Sequence, residues 1–249
     1  MGVKRPRRSR GPAPSPRVEP DPSAPLVLAV DTSCAVETLA LVQGELALAQ
    51  WQARRPKHRG ASLASTIEGL LASCGRSMGD LSAAVVVGGP GAFTGLRVGI
   101  ATLQGLCAAR RIPLSSVSAL DGWAWAATTD VVGVTLDARR GELYTALFRR
   151  TRDALETLIP LDLVTPDAWA VALGEADVDV ELVGDGARLY ETRWTSPRLS
   201  VAPAHVLGPN LIPVARAVDV SATPGPVAPI YMRRHDGTRT EPRGSDAIG

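Results

Sequence analysis

The 249-residue sequence predicts an α/β fold of two related lobes, each a mixed sheet with helices laid against it. Three observations predict it. From residue 26 to 110, apolar runs and helical stretches follow the order βββαβα. The opening unit is an apolar strand closed by an aspartate, a short turn and a returning strand, and it recurs about a hundred residues later. A glycine-rich stretch, residues 88–99, sits between a buried-type strand and a helix.

Residues 26–30 are a buried-type strand ending at Asp31-Thr32-Ser33. Strands 37–42 and 46–51 follow, joined at Gln43-Gly44-Glu45. Pro56 breaks the pattern, and 59–74 reads as a helix ending near Gly75. The run 83–87, Ala-Ala-Val-Val-Val, is a strand, and 96–110 is a helix with Thr94 placed to cap it. The pattern then restarts with strand 131–136, Asp137, the turn Ala138-Arg139-Arg140-Gly141, and strand 142–149. Asp31 precedes Ala40-Leu41 by nine and ten residues, and Asp137 precedes Ala146-Leu147 by the same. Beyond 150 the signal weakens. A helix over 166–173 opens on Pro166, a short strand 181–183 leads into Gly184-Asp185-Gly186, and Pro209 and Pro213 limit 207–220 to helical pieces. The chain thus divides into an arm, 1–25, a first lobe, 26–127, a second, degenerate lobe, 128–233, and a polar tail, 234–249.

The arm holds seven prolines and six basic residues and no apolar segment, which reads as disorder rather than a signal peptide. It carries a net charge of +4 against +2 for the whole chain, so the body is mildly acidic and the basic overall balance says little about a nucleic-acid groove on it. No apolar run approaches the roughly 20 residues of a membrane span. Cys34, Cys74 and Cys107 have no paired spacing, which suits a reducing cytoplasm, where the chain is expected. The histidines 58, 205 and 235 lie far apart, and none pairs with another at helical spacing to hold a metal.

In Gly88-Gly89-Pro90-Gly91-Ala92-Phe93-Thr94-Gly95-Leu96-Arg97-Val98-Gly99, glycines allow close approach of backbone to backbone or to a ligand. The spacing is neither of the well-known phosphate loops, because no Lys-Ser/Thr pair follows and Thr94 stands where a third glycine belongs. A packing turn and an anion site at a helix start are both open readings.

This run closely resembles the signature of the bacterial TsaB family, also filed as YeaZ and as glycoprotease homologues. Three further segments resemble the same family: Leu28-Ala29-Val30-Asp31-Thr32-Ser33, Asp137-Ala138-Arg139-Arg140-Gly141-Glu142-Leu143-Tyr144, and Pro229-Ile230-Tyr231-Met232-Arg233. The duplicated strand-Asp-turn hairpins also resemble the actin/sugar-kinase/chaperone ATPase superfamily, whose two lobes each present such a hairpin to nucleotide phosphates. The resemblance implies that fold, with the second lobe reduced. It also implies a non-catalytic role beside the transferase TsaD and the ATPase TsaE, in making threonylcarbamoyladenosine next to the tRNA anticodon.

Asp31, Thr32, Ser33 and Asp137 are the nucleotide or phosphate candidates. Their turns carry little glycine: none follows Asp31 directly, and Gly141 comes late. The aspartates either hold Mg²⁺ through water or cap their turns. Cys34 and Ser33 lack a neighbouring histidine, so no nucleophile is predicted. Arg139 and Arg140 reach phosphate or a partner carboxylate, or form a solvated turn. TsaD-type proteins use a helix-borne histidine pair for their metal, whereas the helix here has only His58 at its entry. Neither a catalytic residue nor a metal ligand is expected.

A partner surface remains. Leu63, Ala64, Ile67, Leu70 and Leu71 make one large-apolar stripe, while the rest of that helix offers Ala61, Ser65, Gly69 and Ala72 with Glu68 its single charge. On the next helix Leu103, Leu106 and Cys107 are the large stripe, and Val98, Thr102, Gly105 and Ala109 the small one. Arg97 and Gln104 mark a narrow polar edge there. Small faces let helices approach to about 8 Å. Alanine filling exposed positions is the rival explanation. The family resemblance implies that these helices meet TsaD or a second copy of the chain, with ATP or ADP only at that interface and tRNA reached through the complex. No intrinsic cofactor and no membrane contact are expected. The alternative is a free-standing ATP-dependent phosphotransferase or glycoprotease-like enzyme.

Overall fold

The computed structural model describes residues 20–54, 62–221 and 226–232. β1 (Leu26–Asp31) pairs antiparallel with β2 (Val36–Gln43), which carries β3 (Leu46–Arg54) on its far edge. α1 (Leu63–Ser73) leads to β4 (Ala83–Gly89), parallel to β1, and α2 (Phe93–Ala108) to β5 (Leu114–Ser118), parallel to β4. The short helix α3 (Ala119–Ala124) closes the lobe. The second lobe repeats every step: β6 (Val131–Arg139), β7 (Glu142–Arg150), β8 (Leu155–Val164), α4 (Pro166–Glu175), β9 (Val180–Val183), α5 (Asp185–Leu189), β10 (Leu199–Val201) and α6 (Ile212–Arg216).

The sheets run β3-β2-β1-β4-β5 and β10-β9-β6-β7-β8, which is one topology read from opposite edges. Among the described residues the duplication therefore extends to ten strands in two five-stranded sheets, beyond the single pair of hairpins visible in the sequence. The reduction expected of the second lobe lies in its later elements: α5 has 5 residues where α2 has 16.

All residues of β1, β2 and β4 are buried, so both faces of this sheet are covered. One face, with Leu28, Leu39 and Leu41, packs under Ile67 and Leu71 of α1 and Leu103 and Cys107 of α2. The other, with Val27, Ala29 and Val85, shares a core with Val132, Val134 and Phe148 of the second sheet. α3 and α6 lie in that shared core through Leu120, Trp123, Val214 and Ala215, so each lobe's last helix cements the two. A third cluster sets Leu143 and Leu147 against Trp169 and Leu173 of α4, and the Trp169 indole donates to Thr135 Oγ1 at 3.0 Å. The buried Glu181 carboxylate collects Thr128 N, Thr128 Oγ1 and Thr129 N at 2.8–2.9 Å, which ties the inter-lobe linker to β9.

Several expectations are corrected. α2 starts at Phe93 with Ala92 at its N-cap and no side-chain cap; Thr94 is an exposed second residue of the helix. The Ala92 N–H is already held by Ser33 O at 2.6 Å, so loop packing sets the helix start. α1 starts at Leu63, where Ser62 accepts from Ser65 N at 3.2 Å; residues 59–61 lie outside the described residues. The predicted arm ends in a turn rather than free chain: Gly44 N donates to Pro25 O at 3.0 Å and Gln43 Nε2 to Ala24 O at 3.3 Å. Residues 1–19 and the tail 234–249 lie outside the described residues.

Candidate partner face and the cleft between the lobes

The glycine-rich loop is filled by protein. Gly89 has φ +126°, and a Cβ there would sit 2.6 Å from Ile230 O. One on Gly91 would meet Ser33 O at 2.5 Å, and one on Gly99 would meet Thr32 Oγ1 at 2.3 Å. Pro90 lies between the first two, Gly88 O accepts from Ile230 N at 2.7 Å, and Gly95 O accepts from Thr32 Oγ1 at 2.8 Å. Each of these groups meets either the β1–β2 turn or the C-terminal segment.

Asp31, Thr32 and Ser33 are buried beneath this loop. Ser33 N donates to Asp31 Oδ1 at 2.6 Å, an Asx turn that directs the carboxylate back onto its own chain. In the second lobe Arg139 N donates to Asp137 Oδ1 at 2.8 Å, and the Arg139 guanidinium pairs with Oδ2 at 2.9 Å. Asp137 N in turn donates to Asp185 Oδ1 at 2.9 Å. Burial, with the Asp137 charge adding to it, pushes the Asp185 carboxyl above its ordinary range. Arg139 and Arg140 both have positive φ, 65° and 57°, in the left-handed region that side chains other than glycine rarely adopt. Gly184, at φ +112°, and Gly186 press against Thr135 as Gly89 and Gly91 press against their neighbours, so the duplication extends to these turns.

Between the lobes, Cys34, Ala35, Trp123, Asp185 and Arg188 line a cavity of about 130 Å³. Ligand sites usually measure 300–1,000 Å³, so this cavity is smaller than most. Asp31 and Asp137 thus end equivalent strands, and neither lines this cavity.

The helical candidates have a different setting. Ser65, Gly69, Ala72, Val98, Gly105 and Ala109 are exposed and Thr102 is half-buried; Ala61 and His58 lie outside the described residues. A Cβ on Gly69 or Gly105 would meet nothing within 4 Å, whereas Leu63, Ile67, Leu70 and Leu71 are buried. Glu68 is the single charged residue of α1, and Arg97 that of α2.

The sequence reading missed what Arg97 and Gln104 do. Besides marking a polar edge, they clasp segment 226–232. Gln104 Nε2 donates to Val227 O at 2.8 Å, and Arg97 Nε to Tyr231 Oη at 3.2 Å. Arg97 lies 3.8 Å over the Phe93 ring, which stands 5.5 Å from Tyr231. Half-exposed Phe93, at the start of α2, with Ile230 and Tyr231 beyond it, continues the exposed face of the helices as an apolar patch around Arg97. The i, i+7 spacing of Arg97 and Gln104 was visible in the sequence, but nothing marked the distant segment as their acceptor.

Comparison with known proteins gives a consistent result. The family model described as TsaD: tRNA N6-adenosine threonylcarbamoyltransferase matches residues 55–186. The Bacillus subtilis tRNA threonylcarbamoyladenosine biosynthesis protein TsaB is 30% identical over 167 residues, covering 66% of this chain and 73% of that protein. The chain belongs to the TsaB family. An uncharacterised Mycobacterium tuberculosis protein is 31% identical over 212 residues, 84% of this chain and 92% of its own length. The crystal structure of a Pseudomonas aeruginosa protein similar to the peptidase YeaZ superposes with a TM-score of 0.70 at 25% identity, covering 84% of this chain and all of that one. The two-lobed architecture is thus that of TsaB and YeaZ proteins.

Proposed function

We propose that this TsaB-family chain is the non-catalytic partner of a TsaD-type transferase, which with TsaE modifies tRNA to threonylcarbamoyladenosine beside the anticodon. The observation that carries this reading is the solvent-facing side of α1 and α2, where small residues surround the open Gly69 and Gly105 with Glu68 and Arg97 as the single charges, while Leu63, Ile67, Leu71, Ile100 and Leu103 are buried. Helices with such faces pack closely against partner helices. The Asx turn at Asp31 and the Arg139 pairing at Asp137, which direct both carboxylates onto their own chain, favour a partner role over a free-standing enzyme. The chain supplies scaffolding that holds TsaD in its working conformation. ATP or ADP belongs at the interface with that partner, and tRNA is reached through the complex. The same face serves a homodimer when TsaD is absent. Among the described residues no helix is long and apolar enough to cross a membrane.

Reconstitution tests this. TsaD and TsaE from the same cell, given a threonylcarbamoyl source and tRNA, should form threonylcarbamoyladenosine efficiently only when this chain is added. Equal yield without it would overturn the proposal. The rival, a free-standing phosphotransferase or glycoprotease-like enzyme, requires turnover by the chain alone.

A further inference from the structure

A second, larger hollow lies on the other side of α3. Trp123 faces the small cavity, while Asp121 and Trp125, four residues apart on one helix face, line a space of about 730 Å³. That volume falls within the range of small-molecule sites. Both lobes contribute walls: Ser115 and Val117 of β5 from the first, Phe148 of β7 and Val214 of α6 from the second. Two of the chain's ten aromatic residues, Trp125 and Phe148, line it, in a sequence with only 4% aromatics. The charges are lopsided, with four carboxylates lining the hollow against two guanidinium groups. One of those guanidiniums, on Arg216, is engaged by Glu45 at 3.8 Å across the rim. Asp121 is half-buried, and burial pushes its carboxyl upward, so a cation brought beside it would relieve the cost of its charge.

We propose that this hollow binds a small aromatic cation, its ring against Trp125 and Phe148 and its positive nitrogen at the Asp121 carboxylate. Aromatic faces and a partly desolvated carboxylate both favour such a ligand over an anion of equal size. The site stands apart from the partner face, so its occupancy and TsaD binding are separate measurements. A ligand there would touch both lobes and so bias their relative position.

Benzamidine serves as the probe, with benzyl alcohol as the neutral control and benzoate as the anionic one. Titrated into the full ¹⁵N-labelled chain, benzamidine should move the Trp125 indole resonance saturably, and benzoate should leave it unmoved. Asp121→Asn retains an acceptor for its backbone partner and should weaken benzamidine about tenfold. Ser115→Phe, on the outer strand β5, should block binding by filling the hollow without touching the carboxylate. Benzoate binding as tightly as benzamidine would overturn the proposal. So would an unchanged affinity in both variants, or no saturable shift in the parent.

Discussion

Gly91 and Gly105 lie in one sequence motif and its helix, yet their surroundings are opposite. A methyl on Gly91 would press into Ser33 O at 2.5 Å, and that atom belongs to backbone that cannot swing aside. Gly91→Ala should therefore lose about 1–3 kcal/mol, read as a lower denaturant midpoint. Gly105→Ala meets nothing within 4 Å and replaces a poor helix former, so it should gain up to about 1 kcal/mol. Equal effects would mean that the loop is not the packing turn described. Asp185 gives a test in pH. Its carboxyl is raised above the ordinary 3.8, mainly by burial, so the folded state favours the protonated form. The stability this contributes is complete below the ordinary value and is lost as pH rises through the raised one. Asp185→Asn keeps an acceptor for Asp137 N and should melt higher than the parent at pH 7, with the gap closing as pH falls toward 4. A parent that melts higher at pH 7 would show that the charge is welcome there, through Arg139.

At the scale of elements, what could be read from the sequence depended on periodicity. β1, β2, β4 and the buried faces of α1 and α2 stood out because their apolar residues repeat at strand or helix spacing. β8 did not, since Pro160 interrupts it; as an outer strand it tolerates a residue that cannot donate. β5, Leu-Ser-Ser-Val-Ser, is another outer strand with little apolar signal. α3 is buried almost throughout, so it has no polar stripe to betray a helix. The open face of the candidate site was legible residue by residue on a helical wheel. Its continuation through Tyr231 was not, because the clasp joins positions more than a hundred residues apart. That clasp predicts a cost for truncation. Ending the chain at Ser221 removes buried Met232 and the Ile230–Gly88 bond, and should lower Tm by about 5 °C. An unchanged melt would mean the segment only rests on α2.

For the whole molecule, two lobes of one topology are held by a shared core that runs through α3 and α6, and the Asp31 and Asp137 carboxylates that end their first strands are engaged by their own turns. The purified chain should therefore show no useful ATP hydrolysis. Steady turnover lost on both Asp31→Ala and Asp137→Ala, and kept in variants elsewhere, would restore the enzyme alternative. The proposed partner surface is the face of α1 and α2, and the most direct test places a charge there. Arginine at Gly69 or Gly105 has room in the isolated chain, so Gly69→Arg and Gly105→Arg should fold and melt like the parent. In a dry helix contact the same side chain holds backbones apart and leaves an unpaired charge, costing about 3–5 kcal/mol, or two to three orders of magnitude or more in affinity. Co-purification with TsaD, measured for the parent and both variants, decides the matter: the parent should retain TsaD and both variants should lose it while staying folded. Variants that bind TsaD as tightly as the parent would contradict the account and place the interface elsewhere.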